Sequence, residues 1–134
     1  MASARSVNPV ALGSPKGYSN GILAGPGRIL FVAGQVAFDG SQRVVGGNDF
    51  AAQFGQALDN VLAVVAEAGG KPDDVARMTI FVTDKLQYVA ASKAVGTVWR
   101  ARMGKHYPAM SLVEVKALLE DGALVEIEAT AVIA

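Results

Sequence analysis

Two glutamates near the C-terminal end, Glu126 and Glu128, have the spacing that most directly suggests chemistry. They are two positions apart, so in a strand both carboxylates lie on one face, opposite Val125, Ile127 and Ala129. A carboxylate beside a bound water can act as a general base when burial tunes its proton affinity. An alternating strand is nevertheless more often the half-solvated edge of a sheet. The pattern alone therefore favours an edge strand, with catalysis as the alternative.

Two other side chains could take part in binding or proton transfer. Tyr18 lies in a glycine-flanked turn, where a phenol can close a pocket or cover one edge of the core. His106 is the only histidine, and histidine ordinarily titrates near neutral pH. It belongs to a loop-like connection, however, where a single histidine is more often a surface residue. We therefore retain Tyr18 as a candidate site residue and leave His106 outside the predicted site.

The composition excludes several kinds of site and partner. The chain has no cysteine and one histidine, which rules out disulfides, thiolate metal sites and clusters of histidine ligands. We therefore predict no metal site. Twelve basic residues balance twelve acidic ones, so there is no net charge to attract a nucleic acid or an acidic membrane. Neither nucleic acid nor membrane is expected as a partner.

The length and hydrophobicity predict one domain that oligomerises. A chain of 134 residues can build one core but has no room for separate cofactor and substrate domains, so residues 1–134 are predicted to form a single domain. The chain is 51% hydrophobic and 18% charged, which is more apolar than one small core normally hides. No segment has the length and apolar character of a signal peptide or a membrane span. We therefore expect a cytoplasmic protein.

Hydrophobic periodicity predicts two helices. Apolar residues recur at steps of three or four over residues 50–68, with Asn48 or Asp49 as the N-cap and two glycines at the end. A second, less regular helix is predicted over residues 84–102, capped by Asp84 and interrupted by Gly96. Helices of this length are sufficient to cover one face of a sheet.

Runs of β-prone residues predict the strands, which cover residues 18–24, 28–36, 75–82, 110–116 and 124–133. The first twenty residues are rich in Ser, Pro, Gly and Asn and are predicted to be an irregular arm. The strands at 28–36 and 78–82 are apolar on both faces, while two helices can cover only one face of a sheet. We therefore expect the second face to pack against copies of the same chain.

Six segments, in their order and spacing, resemble the Rid (YjgF) family. They cover residues 17–21, 31–36, 56–61, 79–84, 107–115 and 125–129. The resemblance implies an α+β, chorismate-mutase-like fold: a mixed sheet of about six strands with two helices packed on one face. It also implies a homotrimer whose sheets form a central barrel, with a small-molecule pocket at each subunit interface.

The resemblance also implies a chemistry. Well-known family members hydrolyse reactive enamines and imines to a 2-keto acid and ammonia without a metal or an organic cofactor, so no cofactor is expected. In the family, a glutamate equivalent to Glu126 positions the water, and an arginine equivalent to Met110 clamps the substrate carboxylate. A thioether cannot hold a carboxylate. We expect Met110 and Leu112 to lie beside the glutamates in one site.

The sequence departs from the family pattern in the binding half of the site. Ala33, Met110, Leu112 and Ser92 stand where the family commonly has serine, arginine, cysteine and asparagine. The predicted catalytic residues are Glu126 and Tyr18. The predicted substrate-binding residues are Met110, Leu112, Ala33, Gly34, Gln35, Ser92 and Glu114. A cation from another position could replace the missing arginine, although each candidate is more often a solvated charge; the candidates are Arg100, Arg102, Lys105 and Lys116.

Two functions of different classes follow. The first is a hydrolase of the deaminase type that acts on an imine, an enamine or a related C–N bond of a substrate that lacks the usual α-carboxylate or presents it differently. The alternative is a non-catalytic, small-molecule-binding or regulatory trimer, because the apolar side chains of Met110, Leu112 and Ala33 bind without activating water. Retention of Glu126 favours the enzyme, since a buried carboxylate without a role is costly. Ribonuclease or translation-inhibitor activity, attached by name to some relatives, is disfavoured by the zero net charge.

Overall fold

The computed structural model describes residues 4–134, which form the predicted α+β fold. The elements follow the chain in the order β1 (Arg5–Val7), β2 (Gly21–Leu23), β3 (Arg28–Gln35), α1 (Phe50–Glu67), β4 (Val75–Val82), α2 (Lys85–Ala90), α3 (Ser92–Met103), β5 (Ala109–Glu114) and β6 (Val125–Ile133). Single turns of 3₁₀ helix lie at Val10–Leu12 and Pro72–Asp74. Among these described residues, no helix is both long and apolar enough to cross a membrane.

Four strands form the main sheet in the order β3-β6-β4-β5. The β4–β5 pair is parallel and the other two pairs are antiparallel, which makes the sheet mixed. The strands β1 and β2 are three residues long and form a separate antiparallel ribbon. The six strands therefore form two sheets where the resemblance implied one. The ribbon includes β1 inside the predicted irregular arm, and β2 is shorter than the predicted strand at residues 18–24.

The first helix begins where its capping residue predicts. The carboxylate of Asp49 accepts a hydrogen bond from the Ala52 amide at 3.0 Å, so Asp49, and not Asn48, is the N-cap of α1. After Ala68 the chain turns through Gly69, whose positive φ of 88° suits glycine. Both ends of α1 therefore agree with the sequence pattern to within one residue.

The predicted second helix is divided in two. Asp84 caps α2 as expected by accepting a hydrogen bond from the Leu86 amide at 2.9 Å. The division falls at Ala91, where ψ is 5°, and not at Gly96, which lies inside α3. The prediction of one continuous helix is therefore wrong, because the residue that breaks it has a high helix propensity and gives no signal in the sequence.

The hydrophobic core lies between the helices and one face of the main sheet. Alternate residues of β4 and β6 point into it, as period-two side-chain alternation requires. The buried residues that form this core include Met78, Ile80, Val82, Val125, Ile127, Ala129, Phe54, Leu58, Val61, Val95 and Trp99. The helices α1 and α3 therefore cover the same side of the sheet.

The opposite side of the sheet, here called the open face, carries large apolar side chains that are accessible to solvent. On β3, Ile29 is 61% exposed and Phe31 is 77% exposed, and Val113 on β5 is 41% exposed. Phe31 pairs with Thr130 of β6, whose neighbours on that face are Glu126 and Glu128. The strands are therefore apolar on both faces in the way predicted, and one chain covers only one of them.

A buried glutamine connects α1 to two loops. The side chain of Gln53 is completely inaccessible to solvent. Its Nε2 atom donates hydrogen bonds of 2.8 Å to the carbonyl oxygens of Gly47 and Gly122, and its Oε1 atom accepts one of 2.9 Å from the Leu124 amide. This amide therefore joins the loop before α1 and the turn before β6 to the core.

Candidate functional site

The predicted site residues lie on both faces of the main sheet. Met110 and Leu112 of β5 pair with Met78 and Ile80 of β4 and pack against the helix-covered core. Glu126 pairs with Phe81, on the open face. The expectation that Met110 and Leu112 lie beside the glutamates is therefore wrong within one chain, because strand alternation directs the two groups to opposite sides of the sheet.

On the helix-covered side, a cavity of about 300 Å³ lies between α3 and the β4–β5 end of the sheet. We call it the α3–β5 cavity. Two of the predicted residues, Met110 and Ser92, line it. The other residues that line it are Gly17, Phe54, Ile80, Tyr88, Val95, Gly96, Trp99, Arg100 and Tyr107.

Aromatic rings form one wall of this cavity. The rings of Trp99 and Tyr107 stack with centroids 5.9 Å apart and planes 7° from parallel. The indole nitrogen of Trp99 donates a hydrogen bond of 3.2 Å to the carbonyl oxygen of His106, which fixes the ring. Tyr88 meets Phe50 edge to face, with centroids 5.9 Å apart. The wall suits an apolar part of a ligand.

The cavity also contains one cation, Arg100. Its guanidinium lies against Gly96, where an added Cβ would come within 3.1 Å of the Nη1 atom. Arg102, two positions along α3, instead forms an ion pair with Asp59 of α1, with its Nε atom 2.6 Å from Oδ1. Lys105 lines a separate cavity, and Lys116, two residues beyond the end of β5, does not line this one. Of the four cations considered from the sequence, Arg100 is thus the one that the described structure places beside Met110.

Tyr18 lies next to the cavity, in a segment that runs along β5. The Ser19 amide donates a hydrogen bond of 3.0 Å to the Pro108 carbonyl oxygen, and the Ser19 hydroxyl donates one of 2.6 Å to that of Tyr107. Gly17 lines the cavity and Tyr18 is 40% exposed. The structure thus places Tyr18 one residue from a lining residue of the cavity, in a segment fixed by a serine that the sequence analysis did not select, but the Tyr18 side chain does not line the cavity.

On the open face, Glu126 is positioned by a glycine. The pairing of β3 with β6 shifts between Val32 and Gln35, which forms a β-bulge at Ala33 and Gly34. A Cβ added to Gly34 would lie 2.8 Å from both Cδ and Oε2 of Glu126, so the carboxylate rests on the glycine backbone. The Nε2 atom of Gln35 donates a hydrogen bond of 3.2 Å to the Ala33 carbonyl oxygen across the bulge. Ala33, Gly34 and Gln35 therefore group with Glu126.

The two glutamates of β6 have different surroundings. Glu126 is half-buried, whereas Glu128 is exposed and lines a shallow cavity of about 170 Å³ with Arg77 and Thr79. Both lie on the open face, in agreement with the alternation of the sequence, but the edge strand that the pattern favoured is wrong, because β6 lies between β3 and β4. Of the two carboxylates, Glu126 is the better placed to hold a water in a defined position, because the bulge confines it on one side.

Two predicted binding residues have contacts of a structural kind. The carboxylate of Glu114 accepts a hydrogen bond of 2.9 Å from the Lys85 amide and thereby supports the start of α2. Leu112 is half-buried against the core.

Among residues 4–134, no three His, Asp or Glu side chains are grouped closely enough to hold a metal ion. The polar groups that can act on a ligand are therefore those of the cavity and of the bulge.

Comparison with known proteins gives consistent matches over nearly the whole chain. Residues 9–133 match the family model described as Endoribonuclease L-PSP. The 2-iminobutanoate/2-iminopropanoate deaminase of Escherichia coli (strain K12) is 37% identical over 109 residues, which are 79% of this chain and 80% of that protein.

Solved structures show the same similarity. One is YyfB from Yersinia pestis, described as a protein of unknown function of the conserved Rid protein family. Its structure matches with a TM-score of 0.86 and 34% sequence identity, and the match covers 97% of this chain and 98% of the YyfB chain. Escherichia coli TdcF with bound serine has a TM-score of 0.70 and 28% identity, with 91% of this chain and 92% of its own covered.

Proposed function

This chain belongs to the Rid (YjgF) family, the family described as endoribonuclease L-PSP, and from this membership we propose that it hydrolyses an imine, an enamine or a related C–N bond of a small metabolite. The observation that carries the proposal is the half-buried carboxylate of Glu126, held on Gly34 at the β3 bulge. A relative that is 37% identical is named as an imine deaminase, which supports the same reaction class.

The reaction needs few groups from the protein. Water adds to the carbon of a protonated imine, and Glu126 accepts a proton from that water. The resulting carbinolamine then collapses, the C–N bond breaks, and ammonia leaves as a carbonyl forms. One imine and one water give one carbonyl compound and one ammonia, with no change of oxidation state. The protein's contribution is to orient the substrate, place the water and move protons.

We further propose that the site is completed between subunits of a homotrimer. Glu126 and the α3–β5 cavity lie on opposite sides of the sheet in one chain, so a neighbouring chain is needed to bring a glutamate to a cavity. The exposed Ile29 and Phe31 give the open face an apolar surface that a second copy would cover.

Light scattering is expected to give three times the 13.8 kDa mass of one chain. Phe31→Glu should dissociate the trimer, because it places a charge on the open face where Phe31 is now 77% exposed. Ala63→Glu is the matched control, since it adds the same charge to an exposed position of α1 on the other side of the molecule. A wild-type chain that stays monomeric at micromolar concentration would contradict both the trimer and the shared site.

Turnover of 2-iminopropanoate, the α-imino acid that corresponds to alanine, is expected to be weak. Met110 cannot form the charged, two-pronged hydrogen bonds by which arginine holds a carboxylate next to the reacting carbon. The imine can be generated by an amino-acid oxidase, and its hydrolysis followed in competition with semicarbazide. Met110→Arg should raise this activity by about tenfold or more, since each charged hydrogen bond contributes about 1.5–3 kcal/mol.

A panel of imines that lack the α-carboxylate, assayed in the same way, tests the reaction class itself. Hydrolysis of at least one member is expected. Efficient wild-type turnover of 2-iminopropanoate would contradict the altered specificity, and a panel without any turnover would contradict the hydrolase.

A second candidate function is non-catalytic binding of a small molecule. The aromatic wall formed by Trp99 and Tyr107 favours it, because such a surface holds a ligand without activating water. The ribonuclease in the family description receives no comparable support, since twelve basic and twelve acidic residues leave no net attraction for a phosphate backbone. The outcome of substituting Glu126, given in the Discussion, separates the enzyme from the binding protein.

A further inference from the structure

We infer that Arg100 is the anion-binding residue of the α3–β5 cavity, and that the ligand is a small molecule with an apolar group and a carboxylate held at the α3 wall. The inference rests on the proposed function, because it specifies the substrate class of the same site. It assigns to α3 the charge that β5 lacks at Met110.

The position of Arg100 is the first argument. Arg100 and Met110 line the same cavity from different elements, the first from α3 and the second from β5. The guanidinium lies against Gly96, one helical turn earlier, where an added Cβ would be 3.1 Å from Nη1. Glycine within a helix is unfavourable relative to alanine. At position 96 it leaves the space that the guanidinium occupies beside the cavity.

The charge balance of the cavity is the second argument. Among the described residues that line it, Arg100 alone carries a formal charge, and no acidic side chain lines the cavity with it. Within residues 4–134 the ion pairs join Arg43 to Asp39 and Arg102 to Asp59, so no acidic side chain of the same chain occupies the guanidinium of Arg100. Its planar donors match the two oxygens of a carboxylate.

The remaining walls define the rest of the ligand. The stacked rings of Trp99 and Tyr107, with Phe54 and Ile80, offer apolar contacts. The volume of about 300 Å³ lies at the lower end of small-molecule sites. A carboxylate at the α3 wall is displaced from the position that a β5 arginine would give it. The carboxylate of the substrate is therefore separated from the reacting C–N bond by additional atoms.

Equilibrium binding of phenylacetate and of its neutral isostere phenylacetamide tests this assignment without any turnover. Titration calorimetry on the wild-type protein at low ionic strength should show tighter binding of phenylacetate. Arg100→Gln should weaken phenylacetate binding by about tenfold or more and leave phenylacetamide unchanged, because only the charged hydrogen bonds are lost. The affinity of Arg100→Lys for phenylacetate should lie between those of the wild type and Arg100→Gln, since lysine keeps the charge but not the planar pair of donors.

Lys93→Gln is the matched control, because it removes the same charge from an exposed position of α3 that does not line the cavity. This variant should bind both probes as the wild type does. Equal losses in Lys93→Gln and Arg100→Gln would overturn the inference, as would unchanged phenylacetate binding in Arg100→Gln or no wild-type preference for the carboxylate.

The inference and the proposed function fail separately. A protein that binds phenylacetate through Arg100 but hydrolyses no imine contradicts only the hydrolase. A hydrolase whose KM for imines with a distant carboxylate is the same in the wild type and in Arg100→Gln contradicts only the role of Arg100.

Discussion

Glu126→Gln is expected to lower imine hydrolysis by about 10²-fold or more, the usual scale for loss of acid–base assistance. Glutamine keeps the volume and the hydrogen-bonding shape of the side chain but has no oxygen that accepts a proton near neutral pH. The carboxylate rests on Gly34, so the amide should occupy the same place. The measurement is kcat/KM on the best imine of the panel, with light scattering and thermal unfolding to verify assembly and folding.

Glu128→Gln is the matched control for this loss. Glu128 lies on the same face of the same strand, but it is exposed and is not confined by the bulge. It should keep wild-type activity. If Glu128→Gln is inactive and Glu126→Gln is not, the catalytic carboxylate has been misassigned. If neither change matters, the binding protein is the better description.

Gln53→Leu is expected to reduce the free energy of unfolding by about 3 kcal/mol, because each of the lost hydrogen bonds contributes about 1 kcal/mol. The substitution leaves the carbonyl oxygens of Gly47 and Gly122 and the amide of Leu124 without the partner that the glutamine provides. Urea denaturation at one fixed protein concentration measures the loss, since the stability of an oligomer depends on concentration.

Gln56→Leu makes the same chemical change on the same helix. Gln56 is half-buried and its amide donates one hydrogen bond of 3.0 Å to the Asn60 side chain. Its substitution should cost about 1 kcal/mol or less, because water can reach the partner that is left. A Gln53 variant no less stable than the Gln56 variant would show that the buried amide does not hold the two loops to the core.

Local patterns in the sequence were sufficient for elements with strong periodicity. α1 was predicted closely because its apolar side chains repeat at helical spacing, and β4 because it is a run of β-prone residues; Asp49 and Asp84 marked helix starts. Gln53 was missed, since a polar residue in a helix is usually exposed and its three partners come from loops distant in sequence. The division at Ala91 was missed because alanine favours helix.

The candidate site required more than local patterns. Arg100 and Arg102 are two residues apart on α3, so they point in very different directions, and only packing shows that the first lines the cavity while the second pairs with Asp59. That Met110 and Glu126 lie on opposite faces depends on the register of β4 with both neighbours. The resemblance to a family located these residues, but their grouping follows from the three-dimensional pairing.

The separation of the cavity from the bulge bears on how such a protein can diversify. Residues that recognise a ligand lie on α3 and β5, whereas the glutamate and the glycine that holds it lie on β6 and β3. Within one chain the two groups share no contacts, so substitutions on α3 and β5 leave the packing of Glu126 against Gly34 unchanged and usually affect the stability of that chain independently. The residues that recognise the ligand, including an arginine at position 110 in an ancestor, could therefore be exchanged while Glu126 and Gly34 stayed in place. A protein with this arrangement can acquire affinity for a new metabolite through substitutions that are confined to α3 and β5.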